Sequence, residues 1–275
     1  MVLIKMEEYI LATKFFNERE QLPLFIANIA EQTVKPVTIL FVNDGSNDDS
    51  DEIAKKISSV YNLNYNIVSM PVKAKGNLDT LGRAWNKAQP LIKELLSDVP
   101  YFATADVDTR FPPNYFEFMI NFLESHPRVG VVAGQVVGER RRTFPMFTGK
   151  VVRSDIVQYI DKYWDISIDS FLNIKALKLG YKLRILNEME VDARTSHLGT
   201  KKGRFRAGRL AYYGGINPLY AISKAVSSVD SEFLRGYWFE FFKGTWRCED
   251  EDILNYYHNE FIRKLIRIVK ILFRR

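Results

Sequence analysis

Two aspartates separated by a single residue are the feature of this sequence with the clearest chemical potential. Asp106 and Asp108 follow a short apolar run, Tyr101 to Ala105, of the kind that forms a buried strand. Side chains two residues apart in an extended segment point the same way, so both carboxylates can bind one hard cation. Mn²⁺ or Mg²⁺ held there would stabilise the negative charge that a diphosphate develops as its bond to a sugar breaks. We therefore expect a metal and diphosphate site at this pair.

Polar clusters also follow two earlier apolar runs. Thr13 and the dipeptide Asn17-Glu18 come after the run Tyr9 to Ala12, and the segment Asn43 to Asp48 comes after Val37 to Val42. Open parallel sheets bind ligands beyond the carboxyl ends of their strands, so these clusters are predicted to share one sheet edge with the aspartate pair. The sequence contains neither GxGxxG nor GxxxxGK[ST], which argues against a dinucleotide-binding fold and a P-loop enzyme.

The elements that must position these residues alternate between two periodicities. Strand-like runs continue at Tyr65 to Ser69 and Val129 to Val137, and apolar residues at helical spacing lie between the runs. Pro112 and Pro113 precede a predicted helix over Tyr115 to Leu123. This alternation predicts an α/β fold with a mostly parallel sheet and helices on both faces.

The pattern changes after residue 140. A helix is predicted over Asp169 to Leu179, ended by Gly180, and strands are predicted at Tyr181 to Leu186 and Glu190 to Thr195. A stretch rich in glycine and basic residues, 199–209, is predicted to be a loop, and the remainder to be mostly helical and aromatic.

Composition limits the classes of protein that fit. The 275 residues are 47% hydrophobic and 26% charged, which indicates a folded chain. The single cysteine, Cys248, excludes an internal disulfide scaffold and favours a reducing compartment. We expect neither a leader peptide nor a membrane-spanning segment, because the sequence has no basic leader with an apolar core and no run of 18 apolar residues.

The net charge of +6 is unevenly distributed. Residues 200–275 contain 15 Lys and Arg against 8 Asp and Glu, a charge of +7, which leaves −1 for residues 1–199. Because the positive charge lies in a C-terminal region with apolar stripes, we expect no nucleic-acid partner.

Several motifs in order make the chain resemble the family 2 glycosyltransferases with a GT-A fold. The resemblance rests on five segments, which cover most of the chain: ATKFFNE at 12–18, VNDGSND at 42–48, GNLDTLGRAWN at 76–86, ATADVDTRFPP at 103–113 and WDISIDSFLNIKALKLGYK at 164–182. Three positions depart from the family pattern, since Asn43, Ile168 and Phe171 stand where relatives have acids.

The resemblance implies roles for individual residues. Asp169 matches the family's catalytic base, with Asp165 as the fallback. His197 lies where relatives have a histidine that reaches the metal or the diphosphate; the alternative is a histidine at the surface or packed in a loop. The positions that match donor-nucleotide contacts are Thr13, Glu18, Asp44, Arg83 and Asp106. A helix N-cap is an equally good interpretation of Glu18, Asn47 and Asp48.

The C-terminal region has two possible roles. The predicted basic loop could close over a diphosphate or be a solvated loop; its cations are Lys201, Lys202, Arg204, Arg206 and Arg209, and its glycines, which would allow motion, are Gly199, Gly203 and Gly208. Arg140 to Arg142 are interpreted as a solvated turn. Aromatic residues crowd the segment 233–246, namely Phe233, Tyr237, Trp238, Phe239, Phe241, Phe242 and Trp246. The helix predicted over Phe261 to Arg275 has one apolar face and one basic face, and the two segments together favour an anionic membrane surface over packing on the catalytic domain. The apolar face comprises Ile262, Leu265, Ile266, Val269 and Leu272, and the basic face comprises Arg263, Arg267, Lys270 and Arg274.

These observations predict an inverting, metal-dependent glycosyltransferase that moves a sugar from a nucleotide-diphosphate donor to a hydroxyl of a glycan or lipid-linked acceptor. We expect a catalytic domain over 1–199, with a nucleotide-sugar half over about 1–110 and an acceptor half over about 111–199, and a separate region over 200–275. The expected location is the cytoplasm, at the cytoplasmic face of a membrane. The alternatives are a catalytically degenerate relative that acts as a binding or assembly partner and, less favoured because no glycine-rich phosphate loop is present, a sugar-nucleotide pyrophosphorylase.

Overall fold

The computed structural model describes residues 8–72, 81–139, 144–164, 168–194 and 199–272, and within these ranges strands and helices alternate. The strands are β1 (Tyr9–Phe15), β2 (Thr38–Asn43), β3 (Tyr65–Ser69), β4 (Tyr101–Ala105), β5 (Val129–Val136), β6 (Lys150–Arg153) and β7 (Lys182–Val191). The helices are α1 (Gln21–Ala30), α2 (Ser50–Val60), α3 (Leu81–Leu95), α4 (Tyr115–Ser125), α5 (Ser154–Gln158), α6 (Ile168–Lys178), α7 (Lys201–Tyr213), α8 (Pro218–Ser228), α9 (Ser231–Lys243) and α10 (Glu251–Leu272).

The strands form one seven-stranded sheet in the order β3-β2-β1-β4-β6-β5-β7. Every neighbouring pair is parallel except the two pairs that include β6, which runs against both β4 and β5. The predicted mostly parallel α/β sheet is therefore confirmed. The antiparallel β6 and the short α5 were not predicted, because a four-residue strand is too short to show a periodicity.

Apolar side chains from both faces of the sheet form the core of the first 195 residues. Every residue of β2 and β4 is buried, as expected for strands covered by helices on both sides. Leu22, Phe25 and Ile26 of α1 and Phe116 of α4 are fully buried in the same core. The long apolar runs of the sequence thus become the buried central strands.

The chain divides into two compact units, residues 1–195 and 196–275. The first unit contains the sheet and α1–α6, and the second contains α7–α10, which pack around a small core that includes Tyr212, Tyr220 and Tyr237. Among the described residues, none of the helices has both the length and the apolar character needed to cross a membrane.

The predicted helix over Asp169 to Leu179 corresponds to α6, and Gly180 beyond it has a φ of +84°, a conformation that favours glycine. The two strands predicted between Tyr181 and Thr195 were wrong in detail, because a single strand, β7, spans Lys182–Val191. An irregular register with β5 near Glu190 accounts for the break in the sequence pattern.

Candidate functional site

The candidate site lies at the carboxyl ends of β1, β2 and β4, where the order of strands reverses. From β1 the chain moves outward to β2 and β3 and then returns to β4 on the other side of β1. Such a switch point leaves a crevice between neighbouring strand ends, and open α/β sheets bind ligands there. Asp44 follows β2 directly, and Asp106 and Asp108 follow β4.

The carboxyl group of Asp106 is electrostatically crowded. Although the residue keeps an exposed surface, the surrounding protein desolvates its carboxyl group. Desolvation, followed in importance by the negative charge of Asp108, raises the pKa of Asp106 from 3.8 to about 7; Lys14 opposes the shift, and Asp169 and Glu18 add to it. The negative charges of carboxylates from three separate segments therefore act on Asp106, and a bound cation would relieve their repulsion.

Asp44 is held by a lysine of the first strand. The Asp44 side chain is almost fully buried, and Lys14 Nζ lies 2.9 Å from its Oδ2 atom. A buried carboxylate requires such a partner, because desolvation of an uncompensated charge is costly. Lys14 thereby places a positive charge beside both Asp44 and Asp106.

The turns after β1 and β2 are joined by reciprocal hydrogen bonds. Asn17, with a φ of +54°, donates from Nδ2 to Asn47 Oδ1 at 2.8 Å and accepts from the Asn47 main-chain N–H at 2.9 Å. The N–H of Glu18 donates to Ser50 Oγ at 3.0 Å, and Ser50 Oγ donates to Asp48 Oδ1 at 2.5 Å. Asp48 also accepts from the Ser50 N–H at 3.1 Å, but the N-cap of α2 is Asp49, so Asp48 stabilises the turn before the helix and is not its N-cap.

Asn43, which departs from the family pattern, has two defined hydrogen-bond partners. Its Nδ2 donates to Asp51 Oδ1 at 2.8 Å, and its Oδ1 accepts from the Ser46 N–H at 2.8 Å. Ser69 Oγ donates to the other Asp51 oxygen at 2.8 Å. Because the Asp51 carboxylate can only accept hydrogen bonds, a partner in contact with it must be a donor. The side-chain amide of Asn43 provides that donor.

Glu18 and Asp108 share an arginine that the sequence did not single out. Arg194, just beyond β7, donates to both carboxylate oxygens of Glu18, at 3.2 and 3.1 Å, and its Nε lies 3.6 Å from Asp108 Oδ2. The Glu18 carboxylate therefore pairs with Arg194 and does not cap α1. The pairing spans 176 positions of sequence, so no local pattern could have revealed it.

Asp169 lies in the first turn of α6, and a buried lysine contacts its main chain. Lys150 Nζ donates to the Asp169 carbonyl oxygen at 2.7 Å, and the Lys150 side chain is fully buried. Lys150 reaches the site because β6 is antiparallel, so its first residue lies opposite Thr104, at the carboxyl end of β4. Burial lowers the pKa of Lys150 from 10.5 to about 8, against the attraction of Asp169.

The remaining predicted residues lie in different surroundings. Thr13 is fully buried in β1, and its hydroxyl has no hydrogen-bond partner among the described residues. Arg83 is exposed on α3, and no hydrogen bond or ion pair links it to the described carboxylates. His197, Asp165, Arg140 to Arg142 and residues 76–80 of the third motif lie outside the described residues.

The carboxylates fit a hard divalent cation. Mg²⁺ and Mn²⁺ prefer oxygen ligands, and Mg²⁺ is usually bound by one or two carboxylates together with substrate phosphates. Within the described ranges no group of three or more His, Cys, Asp or Glu residues could hold a metal ion by itself. Asp106 and Asp108 are thus suited to bind a cation whose other ligands come from water, a diphosphate or residues outside those ranges.

The predicted basic loop was wrong. Residues Lys201–Tyr213 form α7, which begins at the cap Thr200, whose hydroxyl accepts from the Gly203 N–H at 3.1 Å. Arg209 pairs with the fully buried Glu240, and Arg204 Nε lies 3.9 Å from Asp230. Two of the five cations therefore have acidic partners within the second unit. Lys201, Lys202 and Arg206 are exposed on the helix.

Gly208 is required for close packing and not for loop motion. A Cβ atom on Gly208 would overlap the carbonyl oxygen of Phe233 in α9, and one on Gly236 of α9 would overlap the carbonyl oxygen of Phe205 in α7. Small residues at both positions let the two helix backbones approach closely. The composition of this stretch, which suggested a loop, is explained by helix packing.

Comparison of the sequence with models of known protein families finds a match. The family model described as "Glycosyl transferase family 2" matches residues 11–207, which is more than half of the chain. No curated protein sequence matches the chain.

Solved structures share the fold at low sequence identity. A mannosyltransferase from Pyrobaculum calidifontis, solved with GDP-Man and Mn²⁺, is 16% identical over 74% of this chain and 61% of its own, with a TM-score of 0.58. TarS from S. aureus is 14% identical over 74% of this chain and 39% of its own, with a TM-score of 0.55. Glucosyl-3-phosphoglycerate synthase from Mycobacterium tuberculosis, solved with Mn²⁺, UDP and phosphoglyceric acid, is 13% identical over 69% of this chain and 72% of its own, with a TM-score of 0.50.

The first two of these matches span less than two thirds of the other protein, and at these identities all three show a shared fold. The extent of the family match, together with a GT-A-like sheet that brings the motif carboxylates to one edge, decides the classification. The chain belongs to glycosyl transferase family 2.

Proposed function

We propose that this family 2 protein is an inverting, metal-dependent glycosyltransferase that moves a sugar from a nucleotide-diphosphate donor to a hydroxyl of a glycan or lipid-linked acceptor. The observation that supports this most directly is the position of Asp106 beside Asp108 at the end of β4, where desolvation and then the negative charge of Asp108 raise the pKa of the Asp106 carboxyl group to about 7, with a smaller contribution from Asp169. Functional sites gather charges in this way when a ligand neutralises them.

The donor half of the proposed site lies at the ends of β1, β2 and β4. Asp44, held by Lys14, would accept an N–H of the nucleotide base, and Asp106 and Asp108 would hold Mn²⁺ or Mg²⁺. When bound, the cation would stabilise the charge that develops on the departing diphosphate. The mannosyltransferase from Pyrobaculum calidifontis, which was solved with GDP-Man and Mn²⁺, supports this assignment by likeness of fold.

Asp169 would act as the general base. A sugar hydroxyl is a weak nucleophile at neutral pH, so a carboxylate within hydrogen-bond reach must remove its proton as the new bond forms. The acceptor oxygen bonds to C1 of the donor sugar, its proton passes to Asp169, and the diphosphate leaves with the electron pair of the old C1–O bond. Attack and departure on opposite faces invert the anomeric centre.

Asp169→Asn tests the base. The substitution removes the proton acceptor but keeps the size of the side chain, so we expect at least a 100-fold loss of transfer and of the slower donor hydrolysis, with nucleotide affinity unchanged. Asp161→Asn is the matched control, since that aspartate side chain is 97% exposed. Retained turnover in Asp169→Asn would reject the assignment. The donor is first identified by thermal shift with GDP-, UDP-, CDP- and dTDP-sugars.

Asp106→Ala and Asp108→Ala test the metal site. Each should weaken Mn²⁺-dependent binding of the nucleoside diphosphate in calorimetric titrations, whereas Asp49→Ala, at an aspartate whose side chain is 76% exposed, should not. Unchanged affinity in the presence of Mn²⁺ would reject the site. The alternative of a degenerate binding partner predicts that the wild-type protein binds nucleotides without hydrolysing any sugar donor.

The proposal includes contact with an anionic membrane through the second unit. Phe239 and Phe242 of α9 are 51% and 79% exposed, and Trp246 beyond the helix is 47% exposed. The ammonium group of Lys243 lies 6.0 Å from the Phe239 ring. Exposed aromatic rings beside basic groups are suited to the interface of a negatively charged bilayer.

This surface belongs to the first of the two segments that the sequence suggested for membrane contact, the aromatic stretch at 233–246. Within the described residues, the amphipathic helix predicted over Phe261 to Arg275 corresponds to the second half of α10, which spans Glu251–Leu272. Most side chains on its two predicted faces lie outside the described set: Arg263, Leu265, Arg267, Val269, Lys270, Leu272 and Arg274. Ile262 and Ile266 are partly exposed.

Cosedimentation with vesicles tests the membrane contact. Vesicles that contain phosphatidylglycerol should bind the wild-type protein, and those of phosphatidylcholine alone should not. Phe239→Ser with Phe242→Ser should abolish binding, whereas Val60→Ser in α2, which also removes an exposed apolar side chain, should not. Equal loss in both variants, or no binding by the wild type, would contradict the proposed contact and favour a solvated surface.

A further inference from the structure

Lys150 is a buried lysine whose ammonium group contacts a residue of the candidate site. Its side chain is fully buried at the start of β6, and its ammonium group donates to the Asp169 carbonyl oxygen at 2.7 Å. Lysine is almost never fully buried in proteins unless a specific partner compensates for the lost hydration. The partner here is the residue that we propose as the base.

The burial of Lys150 lowers the stability of the folded protein. Burial lowers the pKa of Lys150 to about 8, so desolvation outweighs the attraction of the Asp169 carboxylate. An apolar side chain of similar volume would fill the same space without that penalty, because replacing a buried charge by a packed hydrophobic group is often neutral or stabilising. Such a cost is typical of residues kept for function.

The segment 145–150, which contains Lys150, contacts the main chains of both Asp106 and Asp169. Thr148 Oγ1 accepts from the main-chain N–H of Asp106 at 3.2 Å. Two residues later, Lys150 contacts Asp169, and one turn further along α6 Asn173 Nδ2 donates to the Pro145 carbonyl oxygen at 2.9 Å. The start of α6 is therefore fastened to the same short segment that fastens the end of β4.

The contact between Lys150 and Asp169 restrains the direction of the Asp169 side chain as well as its position. A hydrogen bond to the Asp169 carbonyl restrains the peptide plane that follows its Cα atom, and so restrains the direction in which its side chain leaves the helix. A displacement of 1 Å in a reacting group can cost about 100-fold in rate. The first turn of a helix is also less restrained than its middle, since its N–H groups have no intrahelical partners.

We infer that Lys150 is a positioning residue for glycosyl transfer, which fastens the first turn of α6 so that the Asp169 carboxylate faces the attacking hydroxyl. This inference rests on the proposed function. Lys150 itself does not touch the substrates, because its side chain has no accessible surface.

Lys150→Met tests the inference, because methionine fills the space of the lysine stem but has neither charge nor donor. Lys175→Met is the matched control: Lys175 is a nearly buried lysine of α6, and its ammonium group lies 5.3 Å from the ring of Phe171. The readouts are hydrolysis of the sugar nucleotide selected by thermal shift, the melting temperature, and hydrogen exchange of the peptide that covers 168–178.

We expect Lys150→Met to lower kcat for donor hydrolysis about tenfold or more, to leave KM for the donor within about twofold, and to speed exchange in the peptide that covers 168–178. Its melting temperature should equal or exceed that of the wild type. Lys175→Met should keep kcat within about twofold, and Lys150→Arg, which keeps a donor and a charge, should recover part of the lost turnover.

Three results would overturn the inference: equal kcat in the two methionine variants, a Lys150→Met protein that unfolds or melts far below the wild type, or unchanged exchange in α6. Failure of the proposed function has a different signature. A wild-type protein that hydrolyses no donor, or an Asp169→Asn protein that keeps full turnover, contradicts the proposed activity, while the exchange measurement still reports on the contact.

Discussion

Arg194 and Glu18 form a two-pronged ion pair at the edge of the sheet, with N–O distances of 3.2 and 3.1 Å. The arginine follows β7 and the glutamate follows β1. These are the last and the first strands along the chain, but their carboxyl ends lie at the same edge of the sheet. The same guanidinium lies 3.6 Å from Asp108, a proposed metal ligand. Arg194 therefore occupies a position from which it competes electrostatically with a divalent cation.

Removal of this arginine should tighten the binding of Mn²⁺ to the nucleotide-free protein. Arg194→Ala leaves Glu18 and Asp108 without their cationic neighbour, and we expect the Kd for Mn²⁺ to fall about two- to fivefold at low salt. Because the pair is largely exposed, the free energy of unfolding should change by only about 0–1 kcal/mol. Electron paramagnetic resonance of free Mn²⁺ measures the affinity. Arg184→Ala, at an exposed arginine within β7, is the control; an equal effect there would contradict a local role.

The family's acidic residue should be harmful at position 43 of this chain. Asn43→Asp would place a second carboxylate 2.8 Å from Asp51 Oδ1 in a buried site. We expect the free energy of unfolding to fall by about 2–3 kcal/mol at pH 7, as when one member of a buried polar pair is replaced by a group that repels the other. Urea unfolding measures the change.

Asn43→Asp combined with Asp51→Asn provides the decisive control. The double variant exchanges the amide and the carboxylate and restores one donor and one acceptor, so most of the lost stability should return. An additive loss in the double variant would show that the Asn43–Asp51 contact is not the cause.

Gly208→Ala should destabilise the second unit strongly. The new methyl group would overlap the Phe233 carbonyl oxygen, and backbone atoms can move away only if α7 and α9 separate. We expect a loss of at least about 2 kcal/mol in the free energy of unfolding of this unit. Gly199→Ala is the control, since a Cβ atom there meets nothing within 4 Å. Equal melting temperatures in the two variants would refute the close helix contact.

The stability contributed by Lys150 should depend on pH in a defined direction. Its pKa is about 8 in the folded protein against an ordinary value of 10.5, so between these values the unfolded chain binds more protons than the folded one. Stability from this group is therefore present in full above about pH 10.5 and is lost as pH falls through about 8. The melting temperature of the wild type relative to Lys150→Met should rise from pH 7.5 to pH 10; a constant difference would contradict the shift.

Local patterns in the sequence were sufficient for the central sheet. The runs that became β1, β2 and β4 are short, apolar and bounded by polar or turn residues, so their burial and their polar ends are both visible in the sequence. Gly180 could likewise be identified as the end of α6, because few other residues adopt its φ of +84°. The position of Asp106 and Asp108 at a strand end follows from the same local signals.

The basic, glycine-rich stretch shows how composition can mislead. Glycines in a polar segment usually indicate a loop, but Gly208 lies inside α7 because α9 passes too close for a side chain. Helix propensity alone would not predict this outcome, since the favourable packing of α7 against α9 involves residues that are distant in sequence.

The sequence by itself indicated the family, the succession of the main strands along the chain and the carboxylates at the strand ends. These features depend on neighbouring residues, which decide both strand burial and turn formation. Only the tertiary structure decided that β6 enters the sheet in the reverse direction, that Lys150 thereby lies beneath Asp169, and that Arg194 pairs with Glu18. Those contacts join residues 19 and 176 positions apart, and such partners are selected by the packing of whole elements, which no local pattern records.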